Sequence, residues 1–224
     1  MIRIECESAP ILAMNFKRNF NNISRVSELV KLYQSSSNQD LLRLSIVYLH
    51  ASLEDCIRNV MYFKLSSSID ASLLNGVTFY DDVSGVRVDK IRLGDLLRFK
   101  GRTVEELIDL SIVDFVNRQT FNGAGDLVKV YQKHGVSVEP IKDILPDLEE
   151  LITRRHEIVH NSDLYTDRKN LNSEAVIFND GTNNANDIDS KYVEKSINAT
   201  TRFLIYTIKS FLPEGGKLSL QNVN

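Results

Sequence analysis

The segment Arg154–His160 holds the residues of this sequence best suited to proton transfer beside a phosphate group. Its letters, RRHEIVH, include two adjacent arginines and two of the chain's four histidines. Histidine titrates near neutral pH and can give or take a proton. Arginine stays charged and binds phosphate oxygens through two parallel hydrogen bonds. The segment therefore predicts acid–base chemistry on a phosphodiester.

Arg155 has an unusual position in the helix that this segment is expected to form. On a helical wheel of about 100° per residue, it falls between Leu151 and Val159 in the middle of an apolar face, with His156 and His160 on the flank. A buried guanidinium needs partners for its charge and its five donors. We expect Arg155 to be largely withdrawn from solvent and paired. A structural ion pair or a snorkelling side chain is the alternative to a functional role.

A zinc site is the other chemistry open to these residues. His156, Glu157 and His160 match the HExxH pattern, in which two histidines one helical turn apart bind a metal ion. A metalloprotease needs a third ligand, and no histidine follows His160. The remaining candidates, Asp163 and Asp167, lie in a polar stretch. We therefore predict no metal and no cofactor.

Helical periodicity dominates the elements that must position this segment. The expected helices cover about 18–34, about 39–65, Thr103 to about Gln119, a shorter stretch to about His134, a helix whose start Pro140 and Pro146 bracket, and about 190–212. The apolar residues of the second helix recur every three or four positions, which places them on one face. The motif lies near the end of the penultimate helix.

Start signals support two of these helices. The polar run at 35–38 is expected to end the first helix and cap the second. Thr103 and Glu106 form a capping box, in which each side chain accepts a hydrogen bond from the backbone of the other. The residues that this helix is expected to turn inward are Val104, Leu107, Ile108 and Phe115.

Three stretches are less regular. Residues 70–92 predict a loop with a short strand pair, and 70–135 as a whole adds to a minimal helical framework. Residues 163–189 hold six asparagines and few apolar residues, which predicts a long surface loop. The tail after Pro213 is expected to be mobile.

Composition limits the function classes. With 224 residues, 42% hydrophobic and 25% charged, the chain is expected to fold as a single domain, 1–224. A formal net charge of -3 argues against coating nucleic acid through bulk charge, so any contact with RNA should be local. Cys6 and Cys56 match no zinc spacing and favour a reducing, cytoplasmic setting. Neither a signal peptide nor a membrane span is expected.

The sequence resembles the HEPN superfamily. The family signature is an arginine, a polar residue, three further residues and a histidine, and RHEIVH at Arg155–His160 matches it, with Asn161 following as in many members. The helix with YLHASLEDCIRNVMY at 48–62 is similar to the early HEPN helix that carries an acidic residue, here Glu54. The resemblance covers about 39–65 and 143–212 and implies an all-α, HEPN-like helical bundle.

The resemblance implies roles for individual residues. His160 would transfer protons, Arg155 would stabilise transition-state charge or shape the motif, and His156 would support them. Glu54 would be the partner of Arg155, although an intrahelical pair with Arg58 explains it equally well. In supporting positions, Arg154 would contact phosphate and Asn161 would accompany the motif.

The implied function is metal-independent RNA cleavage through the 2′-hydroxyl, as in HEPN nucleases of prokaryotic toxin and defence loci. Such a nuclease would act as a homodimer with apposed motifs, under the control of an antitoxin or another regulatory protein. A non-catalytic HEPN module that binds nucleotides or partner proteins is the first alternative. A purely structural all-α interaction protein is the second.

Overall fold

Long α-helices form most of the backbone in this computed structural model, which describes residues 2–68, 70–161, 188–213 and 217–220. The helices are α1 Pro10–Ser36, α2 Gln39–Ser66, α3 Ala71–Leu74, α4 Val104–Asn117, α5 Ala124–Lys133, α6 Leu145–Asn161 and α7 Ser190–Phe211. The strands are β1 Ile2–Glu5, β2 Phe79–Asp81, β3 Val86–Val88 and β4 Lys217–Leu220, and 3-10 helices span Leu93–Phe99 and Glu139–Ile144. The predominance of helix confirms the expected all-α class.

The chain divides into two compact units. The first unit comprises Met1–Leu53 and Asn122–Asn224, and the second comprises Glu54–Phe121. Helix α2 therefore supplies its first half to one unit and its second half to the other.

The core of the first unit lies where α7 packs against α1 and α6. Tyr131 of α5 is fully buried there, with its ring edge-on to Phe203 and Phe211. The Tyr131 hydroxyl forms a hydrogen bond with the Thr207 hydroxyl, which satisfies both groups inside the core. These contacts join α5 to α7.

The connection between α1 and α2 follows the expected capping pattern. Ser37 adopts a left-handed conformation with φ 55° and donates its N–H to the Tyr33 carbonyl, which ends α1. The Asn38 side chain accepts the Asp40 N–H at 3.0 Å and caps α2.

The second unit contains the β-hairpin that the sequence predicted. Strands β2 and β3 pair antiparallel, with Phe79 opposite Val88. The hairpin is fastened to α4 by the Tyr80 N–H, which donates to Ser111 at 3.0 Å, and by Arg87, whose guanidinium contacts both Asp114 oxygens at 2.6 and 2.8 Å. The capping box of α4 is present, with Thr103 and Glu106 in the expected roles.

Three expectations about local structure were wrong. Helix α1 begins at Pro10 rather than near 18, because a proline is favourable in a first turn and buried residues continue upstream. The tail is not mobile throughout, since Lys217–Leu220 pairs antiparallel with Ile2–Glu5. Val104 and Ile108 do not point into the core and are 73% and 43% exposed.

Most of the loop expected over 163–189 lies outside the described residues. Of that stretch, Ile188 is buried and Asp189 caps α7 by accepting the Tyr192 N–H at 2.6 Å. Among the helices that the structure describes, each is too short or too polar to span a bilayer.

Candidate active site at the end of helix α6

Helix α6 carries the RRHEIVH segment on its last two turns, so the expected helical conformation is confirmed. The helix starts at Leu145 with Pro146 in its first turn, where a missing N–H does no harm. Its first half points Leu148, Leu151 and Ile152 into the core, and these three side chains are essentially inaccessible. Packing of this half against α7 positions the motif that follows.

The apolar stripe of α6 emerges towards solvent as it reaches the motif. Leu151 is fully buried, Arg155 is partly buried, and Val159 is 48% exposed, each four residues after the last. Arg155 is therefore neither sealed in the core nor fully solvated. Its guanidinium can reach a polyanion at the helix end while its stem packs on the core.

A second histidine, His50 of α2, meets the motif. Its ring lies edge-to-face against the ring of His156, with centroids 6.2 Å apart. His50 is 2% exposed and His156 is partly buried, so the inner ring restricts the outer one. This contact between α2 and α6 was not predicted from the sequence. The available signal was the rarity of histidine in the chain.

Arg154 turns away from this histidine pair towards the other flank of α6. Its Nη1 lies 2.9 Å from Glu157 Oε2, and its side chain is only 12% exposed. On the same flank, Lys195 of α7 contacts Asp147 at 2.9 Å and Glu150 at 3.2 Å. Hydrogen bonds to both carboxylates raise the pKa of Lys195. The two Lys195 pairs join α7 to α6, whereas Arg154 is engaged by a carboxylate of its own helix.

An acidic cavity of about 810 Å³ opens along this flank of α6. Its charged lining residues are Glu149, Glu150, Glu157, Asp189 and Arg154. Tyr192 also lines the cavity, where burial, followed by the nearby charge of Glu150, raises the pKa of its hydroxyl well above the usual range. Four carboxylates against one guanidinium repel a phosphate backbone. Phosphate chemistry would therefore occur at the tip of α6, outside this cavity.

The remaining predicted site residues are Glu54, His160 and Asn161. Glu54 lies 3.5 Å from Arg58 Nη1, which is the intrahelical pair that the sequence offered as an alternative. Its pairing with Arg155 stays a prediction. The backbone of α6 extends through His160 and Asn161, but the side chains of these two residues lie outside what the structure describes.

Among the side chains that the structure describes, which do not include that of His160, no group of three or more His, Cys, Asp or Glu is arranged to hold a metal ion. The pattern HEIVH keeps its two-histidine spacing on α6.

Comparison with known proteins gives no match to any family model, curated protein or solved structure. The function must therefore be argued from the site itself.

Proposed function

We propose that this protein is a HEPN-type endoribonuclease that cleaves RNA through the 2′-hydroxyl without a metal ion. The observation that supports this most is the end of α6, where a partly exposed arginine and a histidine held by a second, buried histidine share one helix tip. His160 follows one turn after His156 on the same helix. This tip combines the cation and the proton-transfer groups that the reaction requires.

The proposed reaction needs only groups of RNA and protein. A base removes the proton from a 2′-hydroxyl, whose oxygen attacks the adjacent phosphorus. The bond from phosphorus to the 5′-oxygen breaks, and an acid donates a proton to that oxygen. The products are a 2′,3′-cyclic phosphate and a 5′-hydroxyl. His160 is the proposed proton-transfer group, and Arg155 stabilises the charge that develops on the phosphoryl oxygens.

The decisive experiment incubates purified protein with a synthetic RNA in EDTA and identifies the new ends by mass spectrometry. We expect 2′,3′-cyclic phosphate ends, and we expect an RNA with 2′-O-methyl groups throughout to stay intact. His160→Ala and Arg155→Ala should each lower the rate about 100-fold or more, which is typical for loss of an acid–base group or a charge stabiliser.

Matched controls separate the site from a general effect of substitution. His134→Gln and Arg25→Ala replace the same residue types elsewhere in the first unit, and both should cleave at the wild-type rate. Equal rates in all variants would indicate a contaminating nuclease and overturn the proposal. Loss of cleavage in EDTA with rescue by zinc would replace it with the HEIVH metal site.

A non-catalytic HEPN module is the second candidate. The acidic cavity beside α6 repels phosphate and therefore favours binding of a partner protein over cleavage of RNA. Arg154 is already paired with Glu157, so a phosphate there must compete with a carboxylate. Such a module would bind a nucleotide or a partner protein and would leave both RNAs intact. Nucleotide binding by calorimetry without any cleavage would favour this candidate.

The proposed cellular role is that of a cytoplasmic toxin or defence effector restrained by an antitoxin or another regulatory protein. Induced expression in a bacterial host tests it. Wild type should arrest growth and produce new RNA ends, whereas His160→Ala at equal abundance should do neither. Unimpaired growth with unchanged RNA ends at high wild-type abundance would argue against a toxin.

A further inference from the structure

The second unit contains a cavity of about 510 Å³ that plays no part in the proposed RNA cleavage. Its floor is apolar and is formed by the buried side chains Phe99, Leu107 and Ile112. The ring of Phe79 lies edge-on to that of Phe99, with the ring centroids 5.5 Å apart. Small-molecule sites generally have volumes of roughly 300–1,000 Å³ and mostly apolar walls. This cavity has the size and the lining of such a site.

The rim of the cavity leaves apolar side chains in water. Val104 and Ile108 of α4 line it, as do Ile91 and Leu96, which are 39% and 37% exposed. Helical periodicity directs the two α4 residues inward, and in the structure they face this open cavity. An apolar body seated here would remove their surface from water, which favours binding.

Positive charge marks one edge of the rim. Lys100 and Arg102 line the cavity, whereas the described lining residues include no acid. Arg102 is engaged through Nη1 by Asp82 at 2.8 Å. Lys100 is exposed and makes no ion pair within the part of the chain that the structure describes. Its ammonium group is therefore available to an anion at the mouth of the cavity.

The surrounding sequence strengthens this local charge. The stretch 86–102 holds six Lys and Arg residues against two Asp, a net charge of +4 in a chain whose total is -3. Several of these cations are paired within the second unit, for example Arg98 with Asp81 at 2.6 Å. Three of the six cations, Arg87, Arg98 and Arg102, are paired with carboxylates from outside the stretch, so Lys100 is the cation of the cavity lining that is left to attract an anion.

We infer that this cavity binds a small amphiphile that has an apolar body and one anionic head group. The body occupies the floor against Phe99 and Ile112, and the head group lies at the rim within reach of Lys100. The four apolar rim residues close around the body. The inference is independent of RNA cleavage, because every lining residue belongs to the second unit.

Ligands that share one alkyl chain but differ in head group test the inference on the whole chain. Dodecanoate, dodecyltrimethylammonium and a neutral dodecyl ether share one alkyl chain, and acetate supplies the carboxylate alone. Calorimetric titration below the micelle concentrations should give saturable, one-to-one binding of dodecanoate. Dodecyltrimethylammonium should bind at least tenfold more weakly than dodecanoate, and acetate should not bind. Competition between dodecanoate and 8-anilinonaphthalene-1-sulfonate, an aromatic anion, compares the affinity of the cavity for an alkyl body with its affinity for an aromatic body.

Two variants locate the ligand. Lys100→Gln should weaken dodecanoate about tenfold and leave the neutral ether unchanged, since only the head-group contact is lost. Ile108→Asp should abolish binding of both. Lys209→Gln and Leu93→Gln, which change exposed side chains outside the cavity lining, should bind as wild type. Because Ile108→Asp can impair folding, its circular dichroism is compared with that of wild type. If Ile108→Asp is misfolded, the result for Lys100→Gln alone decides the inference.

Several results would overturn the inference. These are equal affinity for the anionic and cationic amphiphiles, insensitivity to Lys100→Gln, or failure of every amphiphile to bind. A doubling of mass by light scattering that Ile108→Asp abolishes, without amphiphile binding, would instead assign this face to a second copy of the chain.

Discussion

At the residue scale, the contact between His50 and His156 gives the proposed site a rigid support. A buried ring edge-on to a partly exposed ring limits the orientations available to the outer imidazole. Proton transfer depends strongly on such orientation, because small misplacements of reacting groups can reduce a rate by about 100-fold. We therefore propose that His50 is a positioning residue that acts through His156.

Substitution of His50 separates positioning from simple structural support. His50→Ala should lower the cleavage rate about tenfold to 100-fold and displace the pH–rate profile, because the freed His156 ring changes its surroundings. His50→Phe keeps an aromatic edge against His156 and should recover much of the rate. If both variants keep the wild-type pH profile and lose activity only in proportion to folded protein, His50 has a structural role alone.

A second prediction at the residue scale concerns the contribution of the Asp114 carboxylate to the stability of the fold. Hydrogen bonds from Arg87 first, and from Arg118, hold the pKa of the Asp114 carboxyl below its ordinary value. A lowered folded-state pKa means that this stabilisation is present above the unfolded pKa of about 3.9. It is lost as the pH falls through the lower folded-state pKa.

Asp114→Asn should therefore reduce the free energy of unfolding by about 1.5–3 kcal/mol at pH 7, the usual range for hydrogen bonds to a charged group. The difference from wild type should shrink steadily as the pH falls below about 4. Urea titrations at a series of pH values measure it. A difference that is the same at pH 7 and at strongly acidic pH would contradict the assigned role of the carboxylate charge.

At the element scale, Glu149 tethers the motif helix to its neighbour. Its Oε2 accepts the N–H of Ala124, the first residue of α5, at 2.5 Å. A Cβ at Gly123 would lie 2.9 Å from the same oxygen, so glycine permits this close approach. A carboxylate at a helix N-terminus also interacts favourably with the helix dipole. The contact therefore holds the start of α5 against α6.

Glu149→Ala should destabilise the protein by about 0.5–2 kcal/mol, the usual cost of losing an N-terminal cap. Chemical denaturation measures the change, and Glu139→Ala, at an exposed glutamate near α6 in sequence, serves as the matched control with little effect. A loss in Glu149→Ala no greater than in Glu139→Ala would show that the tether contributes nothing.

Local signals explain which elements the sequence could predict. The capping box at Thr103 and the cap at Asn38 act over two or three residues, and both appear where expected. The pairing of β1 with β4 joins the two ends of the described chain and has no local signature. The opening beside Val104 likewise depends on tertiary packing, which periodicity cannot report. For the site, helical spacing placed Arg155 and His156 on α6, while the approach of His50 required the packing of two helices.

At the scale of the whole molecule, the net charge and the cavity beside α6 both disfavour contact with a phosphate backbone. The chain carries a net charge of -3, and the cavity beside α6 adds carboxylates next to the proposed site. One motif also offers a single strongly placed proton-transfer group, His160, whereas cleavage needs both a base and an acid. Two copies related by a two-fold axis would supply two such histidines and at least two arginines in one cleft. Isologous pairing is the commonest oligomeric arrangement.

We therefore predict a homodimer in which the ends of two α6 helices face each other. The partly exposed Arg155 and the 48% exposed Val159 give this tip both charge and apolar surface for a partner copy. A mixing experiment tests the prediction: wild type is exchanged with an excess of His160→Ala, and cleavage is measured per wild-type chain. A shared site requires that this specific activity fall as mixed dimers form, with His134→Gln as the neutral mixing partner. His156 could instead supply the second proton-transfer group within one chain. Activity that stays constant across the mixing series, or a monomeric mass by light scattering at the assay concentration, would show that each chain carries a complete site.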